Sequence, residues 1–132
     1  MAYYLPDTNI LIRILRGHTG YAALLRQFAV EGHTLACCSV TVGEVLSGMK
    51  LREETTTRNL MGSLAFLPDS RAVAERTGLL RLKYCREGII LSFADTFLTA
   101  TALEYDCTLI TENRKDFPMP ELRLYDLGNL AP

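Results

Sequence analysis

Four acidic residues stand at comparable places along this sequence, each close to the boundary between a short apolar segment and a helical one. They are Asp7, Glu44, Asp95 and Asp116. If the apolar segments are parallel strands, their carboxyl ends meet at one edge of a sheet, and these side chains meet there too. Carboxylates that crowd together repel one another unless a divalent cation neutralises them. Because no histidine or cysteine accompanies them, the ions that suit this set are Mg²⁺ and Mn²⁺.

Polar side chains accompany the acids at the predicted edge, namely Thr8, Asn9, Thr111 and Asn113. Sites of this kind commonly hydrolyse phosphodiesters, because a bound metal ion activates water and stabilises the leaving oxygen. The four acids are therefore the predicted catalytic set and the predicted metal ligands, and the four polar residues are the predicted supporting groups.

Each acid also has a purely structural interpretation. Thr41-x-x-Glu44 and Ser92-x-x-Asp95 both match the helix capping box. Asp7 could cap the first helix, and the last of the four acids could be a turn residue before a proline. These alternatives remain open on spacing alone, although the recurrence of acids at one topological position favours a joint site.

The elements that must position these groups alternate along the chain. Strands are predicted at 3–5, 34–40, 64–67 and 107–111, with a last one at 122–125. Helices are predicted at 10–17, 21–29, 41–50, 53–61, 73–88 and 92–105. Such alternation favours parallel strands joined by right-handed crossovers. Along the longest helix Val73, Leu80 and Tyr84 form an apolar stripe that belongs either to the core or to a dimer face.

Length and composition exclude several classes of protein. The 132 residues fit a single domain spanning 1–132, and 48% apolar with 22% charged residues excludes intrinsic disorder. Fourteen basic against fifteen acidic residues exclude a protein that coats nucleic acid by bulk positive charge. No apolar run approaches the roughly 20 residues of a membrane span, and no basic stretch leads into a signal-like region.

The cysteines indicate a reducing compartment. The four of them show no C-x-x-C spacing and have only two histidines to help, so a structural zinc site is not expected. We expect reduced thiols, several of them buried, in a cytoplasmic protein.

Four motifs together resemble a known family. They are residues 5–11 (LPDTNIL), 39–45 (SVTVGEV), 95–102 (DTFLTATA) and 109–117 (LITENRKDF). In this order, from position 4 to about 127, the chain resembles PIN domains, and specifically the VapC-type toxins of type II toxin–antitoxin pairs. The resemblance implies a three-layer α/β/α sandwich, with a central, mainly parallel sheet of four to five strands. It also implies a ribonuclease that uses Mg²⁺ or Mn²⁺.

The resemblance assigns roles to the acidic set. Asp7 and Asp95 match the metal ligands, and Glu44 matches a group that binds or orients the metal. The family varies in the acid after the fourth strand, where Asn113 and Asp116 stand at the two alternative positions. Thr111 would orient a carboxylate or a water molecule. Residues 97–99 (FLT) depart from the smaller aliphatic residues of the family, which concerns packing and leaves the acid in place.

Partners follow from the same resemblance. VapC-type toxins form homodimers, cleave RNA, and are inhibited by an antitoxin that lays a segment over the acids, often with an arginine there. RNA phosphates could be contacted by basic residues of this chain, namely Arg13, Arg16, Lys50, Arg52, Arg58, Arg114 and Lys115. No membrane partner is expected.

Two other classes of protein share parts of this pattern. A phosphoacceptor signalling domain has similar length and strand-end acids, but it needs an acidic pair after the first strand and a lysine after the last. This chain has Asp7-Thr8-Asn9 after the first strand and Tyr125-Asp126-Leu127 after the last, which argues against it. A non-catalytic RNA-binding or scaffolding relative is the second rival, and the retention of acids at all four positions argues against it.

Overall fold

The computed structural model describes residues 1–130 as an alternating α/β chain. The strands are β1 (Tyr3–Pro6), β2 (Thr34–Cys37), β3 (Ala65–Phe66) and β4 (Cys107–Ile110). The helices are α1 (Thr8–Leu15), α2 (Thr19–Val30), α3 (Ser39–Ser47), α4 (Glu54–Gly62), α5 (Arg71–Arg86) and α6 (Phe93–Glu104). Short 3₁₀ turns lie at Leu51–Glu53, Arg114–Asp116 and Gly128–Leu130.

The four strands form one parallel sheet in the order β3-β2-β1-β4. Strand β1 is central, and its Tyr3 pairs with Thr34 of β2 on one side and with Cys107 of β4 on the other. All strands therefore end at the same edge, which confirms the predicted parallel sheet and brings the segments that follow β1, β2 and β4 together.

Helices cover both faces of the sheet. Alternate residues of a strand point to opposite sides, and here the residues on both sides are apolar and buried. Leu5, Ala36 and Leu109 point into a core shared with α5 and α6. Cys37 and Ile110, next to them in sequence, point into a second core shared with α1 to α4. The three-layer α/β/α sandwich is therefore confirmed.

The largest differences between the predicted and the observed strands concern the second and the last of them. The second strand ends at Cys37 rather than at position 40, because α3 already begins at Ser39, with Cys38 as its N-cap. The predicted last strand at 122–125 is reduced to a single parallel bridge between Leu109 and Leu124, fixed by two backbone hydrogen bonds of 2.8 and 2.9 Å. The sheet thus has four strands and one bridging residue.

The stripe on the longest helix belongs to the core, since Val73, Leu80 and Tyr84 are all buried. Within residues 1–130 the four cysteines are free thiols, and three of them are buried. Over the same residues no helix combines the length and the apolar character needed to cross a membrane.

Candidate functional site

Asp7 is the buried centre of the acidic edge, with 7% of its surface exposed. It follows β1 and is the N-cap of α1, where its Oδ1 accepts a hydrogen bond of 2.6 Å from the backbone N–H of Thr8. Its Oδ2 accepts a second bond of 2.9 Å from the hydroxyl of Thr111, which follows β4. The capping interpretation is therefore correct for one oxygen, while the other is held from the neighbouring strand.

Thr8 links Glu44 to Asp7, because it donates a hydrogen bond to each of them. The Oε1 of Glu44 accepts a hydrogen bond of 2.7 Å from the hydroxyl of Thr8, the residue whose backbone N–H donates to Asp7. The capping-box interpretation of this glutamate is wrong, because α3 begins at Ser39 and Thr41 is buried inside the helix. Glu44 is exposed and projects from α3 toward the end of β1.

Asp95 comes from the opposite layer of the sandwich, near the start of α6. Ser92 is the N-cap of this helix, and its hydroxyl oxygen accepts a hydrogen bond of 3.1 Å from the backbone N–H of Asp95. This is the serine half of the predicted capping box. The Asp95 side chain is partly buried, and its carboxyl is close enough to Glu44 and Asp116 to feel their charges.

Mutual repulsion and burial disfavour charge at this edge. Burial raises the pKa of Asp7 to about 6, against the hydrogen bonds from Thr111 and Thr8, and the charges of Asp95 and Glu44 raise it further. Burial also raises the pKa of Asp95, with the charges of Asp116 and Glu44 adding to the effect. The four predicted acids therefore form one electrostatic group, in which Asp116 acts on Asp95.

The supporting residues divide into two pairs. Thr8 and Thr111 donate directly to the carboxylates. The backbone N–H of Asn113 donates to the Thr111 hydroxyl oxygen at 3.0 Å, while the Asn9 and Asn113 side chains line an adjoining cleft. Asp116 ends an exposed 3₁₀ turn.

The donor set fits a hard divalent cation. Its side-chain oxygens belong to carboxylates and hydroxyls, and a cation would offset both the burial of the Asp7 charge, which raises the pKa of Asp7 most, and the repulsion from Asp95 and Glu44. Among residues 1–130, no three His, Cys, Asp or Glu side chains stand in ligand geometry around one point. Mg²⁺ usually keeps several waters and takes only one or two carboxylates, so an open set of this kind is compatible with it.

The cleft beside the acids has a volume of about 510 Å³. The residues that matter for its chemistry are Asn9, Arg13, Arg16, His18, Glu112 and Asn113. Here they are called the basic cleft. It adjoins the acidic edge through its two asparagines, one of which lies two residues after Asp7.

Glu112 is a residue of this region that the sequence reasoning missed. Its carboxylate accepts hydrogen bonds of 2.8 Å from Arg13 Nε and 2.7 Å from the Tyr21 hydroxyl, so it faces α1 and α2 rather than the acidic set. The signal that could have found it is strand alternation, which places residue 112 on the same face as buried Ile110. A buried tyrosine on that face needs a partner for its hydroxyl.

Comparison with known proteins agrees with this geometry. The family model for the PIN domain matches residues 4–119, a range that contains all four acids. A similar curated relative is Ribonuclease VapC10 of Mycobacterium tuberculosis (strain CDC 1551 / Oshkosh). The two sequences are 31% identical over 117 residues, which cover 89% of this chain and 87% of the relative.

Solved structures show the same likeness. A toxin–antitoxin complex from Klebsiella pneumoniae contains a chain that is 31% identical, with a TM-score of 0.71 and coverage of 92% of this chain and 93% of that one. VapBC2 from Rickettsia felis, bound to a DNA fragment from its promoter, gives a TM-score of 0.81 at 25% identity, with coverage of 93% and 97%. The chain belongs to the PIN domain family.

Proposed function

We propose that this protein is a metal-dependent endoribonuclease that acts as the toxin of a type II toxin–antitoxin pair. The observation that carries the proposal is the acidic edge, where Asp7 is buried and held by Thr8 and Thr111 beside Asp95 and Glu44. The matched relative is named a ribonuclease, and the matched structures are toxin–antitoxin complexes. Both support a nuclease inhibited by a protein partner.

Asp7 and Asp95 would hold the ion, with Glu44 binding or orienting it and Asp116 completing the set. When bound, Mg²⁺ or Mn²⁺ supplies the activation of water and the stabilisation of the leaving oxygen in phosphodiester hydrolysis. The Thr111 hydroxyl fixes one Asp7 oxygen and the Thr8 N–H fixes the other, so this carboxylate is oriented before any ligand arrives. Thr8 orients Glu44 in the same way.

The partners follow from the same proposal. The substrate is RNA, the inhibitor is a cognate antitoxin that covers the acidic edge with a cationic side chain, and the toxin is a homodimer. The cytoplasm is the proposed site of action. The four free thiols within residues 1–130 are consistent with a reducing compartment.

The test is cleavage of total cellular RNA by purified protein, with Mn²⁺, with Mg²⁺ and with EDTA. We expect cleavage by wild type with either metal and none with EDTA or in Asp95→Asn, which keeps the shape of the side chain and removes a ligand charge. Asp106→Asn is the matched control. Residue 106 precedes β4 at the opposite edge, its side chain is 86% exposed, and its φ of 56° is one that asparagine tolerates.

Two outcomes would contradict the proposal. Cleavage by Asp95→Asn at the wild-type rate would remove Asp95 from the site. RNA that wild type binds but leaves intact with both metals would favour the non-catalytic relative instead.

A further inference from the structure

We propose that the basic cleft binds the phosphate backbone of the RNA on one side of the bond that is cut. The inference rests on the proposed ribonuclease function and assigns a substrate subsite to the same active site.

The cleft adjoins the acidic edge through residues that contact or neighbour Asp7. The backbone N–H of Asn113 donates to Thr111, and the Thr111 hydroxyl in turn donates to Asp7. Asn9 lies on the first turn of α1, which Asp7 caps. An RNA strand whose scissile phosphate lies at Asp7 must therefore pass close to the cleft if it leaves the site in that direction.

Most of the polar side chains that line the cleft can donate hydrogen bonds. Arg16 is exposed and, among residues 1–130, has no carboxylate within ion-pair distance. The Nδ1 atom of His18 accepts a bond of 3.0 Å from the backbone N–H of Tyr21. In the neutral ring, Nε2 must then carry the proton and act as a donor.

Among the described residues that line the cleft, Glu112 is the one carboxylate, and Arg13 and Tyr21 already bind it. The ion pair uses the Nε of Arg13, whose side chain is 46% exposed, so the terminal guanidinium nitrogens remain for another acceptor. Because the pair fixes the guanidinium in advance, less side-chain entropy is lost when a phosphate binds. Glu112 is thus a positioning residue for Arg13.

Electrostatics favours an RNA strand as the ligand. The acidic edge repels the phosphates that flank the scissile one, and a substrate therefore needs cations close by to offset that repulsion. Among residues 1–130 Arg16 has no ion-pair partner, whereas Arg58, another basic residue singled out in the sequence, is paired with Glu54 on its own helix. Phosphate oxygens accept hydrogen bonds from arginine, histidine and asparagine side chains. A cleft with these side chains beside the proposed cleavage site therefore suits the phosphate backbone of RNA better than the edge of a base.

The experiment measures binding of a short, fluorescently labelled single-stranded RNA of mixed sequence by anisotropy at several KCl concentrations. All variants carry Asp95→Asn so that the probe stays intact. The test variant is Arg16→Ala. The control is Arg71→Ala, which removes the same charge from a side chain that is 92% exposed. Arg71 lies at the end of α5 away from Asp95, since Arg76 farther along α5 pairs with the last residue of α6.

We expect Arg16→Ala to bind the probe several-fold more weakly than the Asp95→Asn parent. The slope of log affinity against log salt should fall by about 0.7, the value for one lost contact with single-stranded nucleic acid. Arg71→Ala should match the parent in both respects. In the active background, Arg16→Ala should raise KM for RNA and leave kcat unchanged, the pattern of lost uniform binding.

The outcomes separate this inference from the proposed function. If wild type cleaves RNA but Arg16→Ala behaves like Arg71→Ala in affinity and salt slope, the subsite is wrong and the ribonuclease stands. If Arg16→Ala loses affinity only for the antitoxin, the cleft serves a protein and the inference is equally wrong. Failure of wild type to cleave RNA with either metal would instead remove the proposed function.

Discussion

Asp7 shows how one side chain can cap a helix and also belong to a cluster of acidic residues. One oxygen caps α1, as a strand-to-helix junction requires, and the other is held by Thr111 from the adjacent strand. A capping pattern in the sequence is therefore compatible with membership of the acidic cluster. The two roles differ in the effect of the carboxylate charge on stability. An ionised aspartate that only caps a helix stabilises the fold, whereas the charge of Asp7 is disfavoured because it is buried beside other acids.

The first prediction is that Asp7→Asn stabilises the metal-free protein at neutral pH. The pKa of Asp7 is raised from an ordinary value of 3.8 to about 6, so the folded state disfavours its charge. The stability that Asp7 contributes is present below about pH 4 and is lost as the pH rises through about 6. Relief of this penalty in Asp7→Asn is worth on the order of 1–3 kcal/mol at pH 7.

Thermal melting in EDTA at pH 4 and pH 7 checks the sign: Asp7→Asn should melt at a higher temperature than wild type at pH 7, and this difference should vanish near pH 4.

Mn²⁺ should raise the Tm of wild type, by an amount equivalent to about 2.7 kcal/mol at 100 times its Kd. The metal-induced shift should be smaller in Asp7→Asn. If Asp7 were only a cap, the substitution would cost up to about 1 kcal/mol and Mn²⁺ would shift both proteins equally.

At the scale of elements, strand-helix alternation was enough to predict the sheet and its parallel sense. The boundary after β2 was misplaced because Ser39 and Val40 continue a β-branched, cysteine-rich run that reads locally as strand. In the structure these residues are the first turn of α3. Whether such residues extend a strand or begin a helix depends on the packing of α3 against its neighbours, which a local pattern does not contain.

That the four acids would lie at one edge was predictable, because Asp7, Glu44 and Asp116 each stand in the segment that follows a strand and Asp95 stands in the first turn of α6. Glu112 was not predictable, because its role depends on α1 and α2, which are distant in sequence and supply Arg13 and Tyr21. The predicted last strand is another case, because only Leu124 of that segment forms a bridge to the sheet. Contacts between elements, rather than the elements themselves, are what the sequence reasoning lacked.

The second prediction concerns the link between β4 and the two first helices. Glu112→Ala should destabilise the protein by about 1–3 kcal/mol, because the Tyr21 hydroxyl and Arg13 lose their acceptor. In a Tyr21→Phe background the same substitution should lower the free energy of unfolding by less, because there is no Tyr21 hydroxyl left without an acceptor. Urea unfolding of the four proteins in this cycle measures the coupling.

Glu104→Ala is the control for that cycle, because its partner Arg76 lies on the surface at 3.6 Å and such pairs contribute about 0–1 kcal/mol. If Glu112→Ala lowers the free energy of unfolding equally with and without the Tyr21 hydroxyl, Glu112 is not the acceptor that this hydroxyl needs. The Arg13 contact alone would then carry the effect.

At the scale of the whole molecule, the acidic edge is assembled from both layers of the sandwich. Glu44 lies on α3, whose Val45 belongs to the core shared with α1 and α2, whereas Asp95 lies on α6, which packs in the core shared with α5. Asp7 stands between them at the end of the central strand. The spacing of the acids is therefore set by how the two layers pack on the sheet, and α3 and α6 are in direct contact.

Because the site needs the whole fold, the last prediction is a property of the whole protein in a cell. Induced expression of wild type alone should arrest growth and degrade RNA, and co-expression of the small protein encoded beside it should relieve the arrest. Asp95→Asn should be harmless at equal soluble level, while Asp106→Asn should arrest growth like wild type. Colony counts and RNA integrity measured together separate cleavage from binding. Arrest by Asp95→Asn with intact RNA would mean that the protein inhibits growth by occupying a target, and the toxin would not act as a nuclease.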